Sequence, residues 1–170
     1  LWRGVDVPDA SESTVQHGHA SIQSNRDSAT VSITPVDLSR SILLAGNRIA
    51  ADAQQINRHT LSAAFADSTT LEFQRHREGG NVAIPEIAWQ VVEFLDGTLV
   101  QSGMTRVSKN SGSETESLSP INPQRAIAFG SVQSAGGQNM GRTKYKNDDI
   151  PGVTAFTMGL AADTLTLQRN

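Results

Sequence analysis

The sequence contains no cysteine, so it cannot supply a disulfide framework, a thiolate metal site, an iron-sulfur cluster or a thiol nucleophile. Aromatic residues make up only 5% of the chain, which leaves few exposed platforms on which a sugar could stack. Lysine is scarce, with 3 of the 14 cationic residues, and 17 acidic residues bring the net charge to −3. No basic field exists to hold a polyanion, and nucleic acid is not an expected partner. The longest apolar runs, Ser41-Ile-Leu-Leu-Ala45 and Trp89-Gln-Val-Val-Glu-Phe94, fall far short of the roughly 18 residues of a membrane span. Gly-x-Ser-x-Gly, P-loop, His-Glu-x-x-His and dinucleotide fingerprints are all missing, so neither an enzyme nor a cofactor is expected. The chain opens on Leu1 rather than Met and without a signal-like segment, which reads as a processed product or a piece of a longer protein.

What the chain does contain is serine and threonine, 32 residues together, with short β-branched runs broken by Gly, Asn and Asp. That composition predicts β-sheet with many turns. It also contains a repeat. Val15-Gln-His-Gly18 returns as Val100-Gln-Ser-Gly103, and a gapless shift of 85 residues gives ten identities over positions 15 to 44. Average composition gives roughly two at that length. Arg40 meets Arg125 and Pro35 meets Pro120 in this alignment. The match resumes at a shift of 94, laying Thr70-Leu-Glu-Phe-Gln-Arg75 on Thr164-Leu-Thr-Leu-Gln-Arg169, so nine extra residues fall in the Gly-rich stretch 134–152.

In the first copy, strands are predicted over residues 15–23, 29–34, 40–44, 61–66, 69–75 and 81–94, from alternation and β-branched enrichment between turn residues. Residues 48–57 carry Ile49, Ala53 and Ile56 on one helical face, but their Gly-rich counterpart predicts a long loop. The expected fold is therefore all-β, as two tandem β-sandwich repeats of immunoglobulin-like or jelly-roll-like type.

The first copy continues past Arg75 to its most β-prone segment, Trp89-Gln-Val-Val-Glu-Phe94, whereas the second copy has no such segment before Asn170. The same pattern stands at the other end. In Leu1-Trp-Arg-Gly-Val-Asp-Val7, Trp2, Val5, Asp6 and Val7 fall on Trp89, Val92, Glu93 and Phe94. The chain thus divides into an N-terminal donor strand and linker (residues 1–14), a complete repeat (15–97) and a repeat lacking its last strand (98–170). If one rigid step relates the copies, the same step run backwards seats residues 1–7 in the second repeat of a neighbouring molecule. Such strand donation makes main-chain hydrogen bonds and buries alternate side chains. Trp2, Val5 and Val7 are the expected interface residues, and Ile127, Phe129, Leu165 and Leu167 the expected acceptor groove. Two other arrangements stay open: residues 1–7 closing their own chain, or a chain cut from a longer tandem array.

The Val-Gln-x-Gly openings and Trp-Gln-Val-Val-Glu-Phe closing resemble those of uncharacterised bacterial secreted proteins built from tandem β-sandwich repeats. That resemblance implies an extracellular or cell-surface location and no particular activity. The strand order is similar in architecture to pilus-type subunits that polymerise by strand donation, although no pilin motif is shared. The function expected on these grounds is a structural subunit of an extracellular filament whose partners are copies of itself.

The alternative is a receptor- or glycan-binding module of an adhesin or tail fibre, for which Tyr145, with Lys144 and Lys146 in the insertion, is the candidate loop contact. His17 and His19 lie two apart in a predicted strand and so share a face, as a metal pair requires, but no third ligand is near in sequence. Asp148 and Asp149 with Asn147 lack the alternation of an EF-hand and read as a solvated turn. The carboxylate pairs Asp67 with Glu72 and Glu114 with Glu116 read as surface charge, and the recurring Arg75 and Arg169 as structural.

Overall fold

Alternating side chains and turn residues give six strands in the first half of the chain, in the predicted order. They are β1 (Ser13–Ile22), β2 (Ser28–Ser32), β3 (Ser41–Arg48), β4 (Ser62–Asp67), β5 (Thr70–Gln74) and β6 (Ile84–Phe94). Three more follow: β7 (Ser113–Ser117), β8 (Phe156–Leu160) and β9 (Thr164–Arg169). The computed structural model describes residues 12–48, 59–76, 82–108, 111–133 and 155–169. Among them there is no α-helix, only a 3-10 turn at Pro123–Arg125. Arg48 ends β3, and the rest of the stretch 48–57 lies outside the described residues.

The strands form three small antiparallel sheets, ordered β1-β6-β3, β2-β5-β4 and β7-β9-β8. The first two share one apolar core. Ile22 of β1, Ile84, Ile87 and Val91 of β6, and Leu71 and Phe73 of β5 cluster there with Val36 and Leu61. Trp89, Leu43 and Ala45 pack against the cluster from the same sheet as β6. Arg75 is also buried, and its guanidinium donates to the main-chain carbonyls of Gln23, Arg26 and Val82. It thereby ties the end of β5 to the β1–β2 turn, as a planar five-donor group can.

The ladders of the N-terminal half (residues 12–94) and the C-terminal half (residues 98–169) correspond position by position. Ser28, Thr30 and Ser32 oppose Gln74, Glu72 and Thr70; Ser113, Thr115 and Ser117 oppose Gln168, Thr166 and Thr164. The loops correspond too. Ile33 N–H donates to Thr69 O at 2.8 Å and Leu118 N–H to Asp163 O at 2.7 Å. Val36 N–H donates to Ser68 O at 3.0 Å and Ile121 N–H to Ala162 O at 2.7 Å. The Gln16 amide clasps the main chain of Thr34 from both sides, and the Gln101 amide clasps Ser119 in the same way. On β4 the offset becomes 95, Ser62 standing for Thr157, and it returns to 94 past a bulge between Phe65 and Asp67.

Burial does not correspond. Among the described residues, every buried one lies between Ile22 and Val91. Leu71 and Phe73 are 0% exposed, while their counterparts Leu165 and Leu167 are only half-buried.

Candidate functional site

In the N-terminal half the central strand β6 pairs with β1 on one side and β3 on the other. Trp89 faces the core with Ile87 and Val91, opposite Gly18 of β1 and Ala45 of β3. A Cβ on Gly18 would stand 2.6 Å from Trp89 Cζ2, so the indole occupies the space that a side chain at position 18 would fill. At the end of the strand Glu93 accepts the Asp37 N–H at 2.8 Å and the Thr14 hydroxyl at 3.4 Å. Val92 lies between Val15 and Ile42 on the opposite face.

The C-terminal half is arranged differently at the corresponding positions. Residues 98–108 and 126–133, the counterparts of β1 and β3, run without sheet pairing to any described strand. Several of their apolar side chains are open to solvent: Leu99 is 76% exposed, Met104 69% and Ile127 82%. Gly103, the counterpart of Gly18, has no atom within 4 Å of where its Cβ would be. Gly130, the counterpart of Ala45, meets only the Met158 methyl at 3.4 Å. The two halves touch through the Val100 N–H on Ser39 O at 2.7 Å and the Ala63 N–H on Ser131 Oγ at 2.8 Å.

Of the predicted groove residues, Leu165 and Leu167 stand on β9 where Leu71 and Phe73 stand on β5, in the core-facing positions. Ile127 and Phe129 correspond instead to Ile42 and Leu44, which pair with Val92 and Gln90 and point away from the core. Sequence reasoning passed over Gly103, Gly130 and Asn122. The signal was present in the glycine shared by the two Val-Gln-x-Gly motifs, but its meaning depends on which strand lies opposite. Trp2, Val5 and Val7, the insertion with Tyr145, and Asp148 and Asp149 all lie outside the described residues.

The remaining candidates are plain surface chemistry. His17 and His19 share the outer face of β1, and His19 Nδ1 lies 3.3 Å from Glu86 Oε1, whose other oxygen is 3.4 Å from Arg48 Nε. His19, Glu86 and Arg48 rim a shallow depression with Ala20, Ser21 and Pro85. Among the described residues no three metal-ligating side chains come together, and no helix is long and apolar enough to cross a membrane. Asp67 accepts the N–H and hydroxyl of Thr69, both at 2.7 Å, as a turn cap. Arg169 donates to Val107 O at 2.8 Å and lies 5.2 Å over the Phe156 ring. No family model, curated protein or solved structure matches the chain.

Proposed function

We propose that the protein is a structural subunit that polymerises head to tail by β-strand donation into an extracellular filament or surface assembly. On this reading the two halves are tandem copies of one β-sandwich. The N-terminal copy holds its own central strand, and the C-terminal copy receives residues 1–7 of a neighbour. The observation that carries it is that residues 98–105 and 126–132, the counterparts of β1 and β3, have no sheet partner among the described residues and bear exposed apolar side chains, in a half whose β7-β9-β8 ladder matches that of β2-β5-β4; on this reading the space between them is an open slot. Unpaired extended segments with apolar side chains are a template for an added strand. Each apolar side chain of the donor that is buried contributes about 1.5–3 kcal/mol before ordering costs. The extracellular location rests on the likeness to secreted repeat proteins.

Sedimentation velocity over a range of concentrations, with electron microscopy of the largest species, tests the reading. Linear assemblies that grow with concentration are expected. A full-length chain that remains monomeric at high concentration, with Trp2 fluorescence that of a buried indole, overturns the polymer in favour of closure within one chain.

A further inference from the structure

The N-terminal half carries its own template for what a central strand presents to its neighbours. Trp89 sits against a glycine, and four residues later Glu93 accepts a main-chain N–H. Residues four apart along a strand share a face, so indole and carboxylate are read together. The receiving parts of this pair survive in the C-terminal half. Gly103 replaces Gly18, Gly130 replaces Ala45, and the N–H of Asn122 replaces that of Asp37. The space at Gly103 is open, and the Asn122 N–H has no acceptor among the described residues.

We infer that the slot is a binding site for an extended segment bearing tryptophan and, four residues on, a carboxylate, and that its occupant is Trp2 to Asp6 of a second copy. Trp2 lies between Gly103 and Gly130, and Asp6 accepts the N–H of Asn122. This rests on the strand-donation reading and adds to it a register. Val5 then falls between Val100 and Ile127, as Val92 falls between Val15 and Ile42. A slip of one residue turns Trp2 to the other face and puts Arg3 or Leu1 in its place. A slip of two sets the indole opposite Gln101 or Thr105, each of which carries a Cβ where Gly103 has none. The glycine is therefore what fixes the register.

The test uses the full-length chain and the concentration at which it assembles. Trp2→Ala is expected to weaken assembly by about a hundredfold or more, since it removes a large buried side chain. Gly103→Val puts a branched side chain into the seat, where its Cβ has no atom of the free chain within 4 Å, and is expected to weaken assembly at least about tenfold while leaving the circular dichroism of the monomer unchanged. Asp6→Asn is expected to weaken it by about tenfold, the ordinary loss when a charged acceptor is neutralised. Ser102→Val, one residue away on the other face, is the control and assembles like the wild type. If Gly103→Val also assembles like the wild type while Trp2→Ala does not, the register is wrong and strand donation stands. If replacing residues 1–7 by Gly-Ser leaves assembly intact, strand donation itself falls, and a wild-type chain that never assembles removes the second copy as occupant.

Discussion

The two halves of the molecule share ladders, loop hydrogen bonds and glutamine clasps, yet among the described residues only the N-terminal half closes a core. Leu71 and Phe73 are fully buried where Leu165 and Leu167 are not, although β5 and β9 make the same pairings with their neighbours. In the N-terminal half β6 brings Ile84, Ile87, Trp89 and Val91 over the β2-β5-β4 sheet, and among the described residues no strand stands in that place over β7-β9-β8. Local hydrogen bonding therefore sets the register of these strands in either half, while burial depends on a strand distant in sequence. A β-sheet needs a second apolar layer before its inner face leaves water.

The largest expected effect breaks that asymmetry directly. Phe73→Ala empties a site of 0% exposure and is expected to destabilise the N-terminal half by about 3–5 kcal/mol. Leu167→Ala, at the equivalent place, is expected to cost about 1 kcal/mol in the monomer because its side chain is already partly in water. Urea unfolding of both variants measures the gap. Equal losses would mean that the C-terminal half completes its core without another strand.

A second contrast lies in the glycines. Gly18→Ala drives a methyl to within 2.6 Å of the Trp89 ring and is expected to cost about 1–3 kcal/mol, seen as a lower Tm. Gly103→Ala meets nothing within 4 Å, and in the monomer it is expected to change stability by less than about 0.5 kcal/mol. A matching loss at Gly103 would show that the seat is already filled within one chain.

The glutamine clasps sharpen the comparison from the other side, since here the halves should agree. Gln16→Ala and Gln101→Ala each remove two hydrogen bonds to one exposed main-chain residue, Thr34 or Ser119. Each is expected to cost about 1 kcal/mol. Amide hydrogen exchange at Thr34 and Ser119 reads the loss locally, and a clear difference between them would mean that the loops are not equivalent.

Much of this was legible in the sequence because strand existence is local. Period-two alternation and turn residues place β1 to β6, and the offsets of 85 and 94 place the counterparts of β2 and β5. Strand order was not legible. Nothing in Trp89-Gln-Val-Val-Glu-Phe94 says that it runs between β1 and β3 rather than at an edge, because that depends on contacts over more than 40 residues. For the same reason the sequence does not say that Leu165 and Leu167 stand on the β9 counterpart of β5 while Ile127 and Phe129 stand on the counterpart of β3, whose Ile42 and Leu44 face away from the core. The seat at Gly103 stayed hidden because a glycine in a strand announces a close approach without saying what approaches.

The smallest expected effect concerns acid. Asp37 accepts the Ser39 hydroxyl at 2.7 Å and the Ser39 N–H at 2.9 Å, and these bonds hold its carboxyl below the ordinary aspartate range, with Arg40 adding to the shift. Asp67 is lowered in the same way by the hydroxyl and N–H of Thr69. A carboxyl whose folded pKa is depressed stabilises the fold fully above its unfolded pKa and ceases to do so as the pH falls through the lower, folded value. The C-terminal half has no such groups at these places. Asn122 caps the Gln124 N–H at 3.0 Å with an amide oxygen that does not titrate, and Ala161 stands where Asp67 would. Following backbone amide resonances by NMR from about pH 6 to about pH 2 should therefore move Ser39 and Thr69, with midpoints below the ordinary aspartate value, and leave Gln124 still. Asp37→Asn should abolish the Ser39 titration while keeping its turn, making that corner behave like its counterpart. A Gln124 resonance that titrates alongside Ser39 would show that the two caps do not differ in this way.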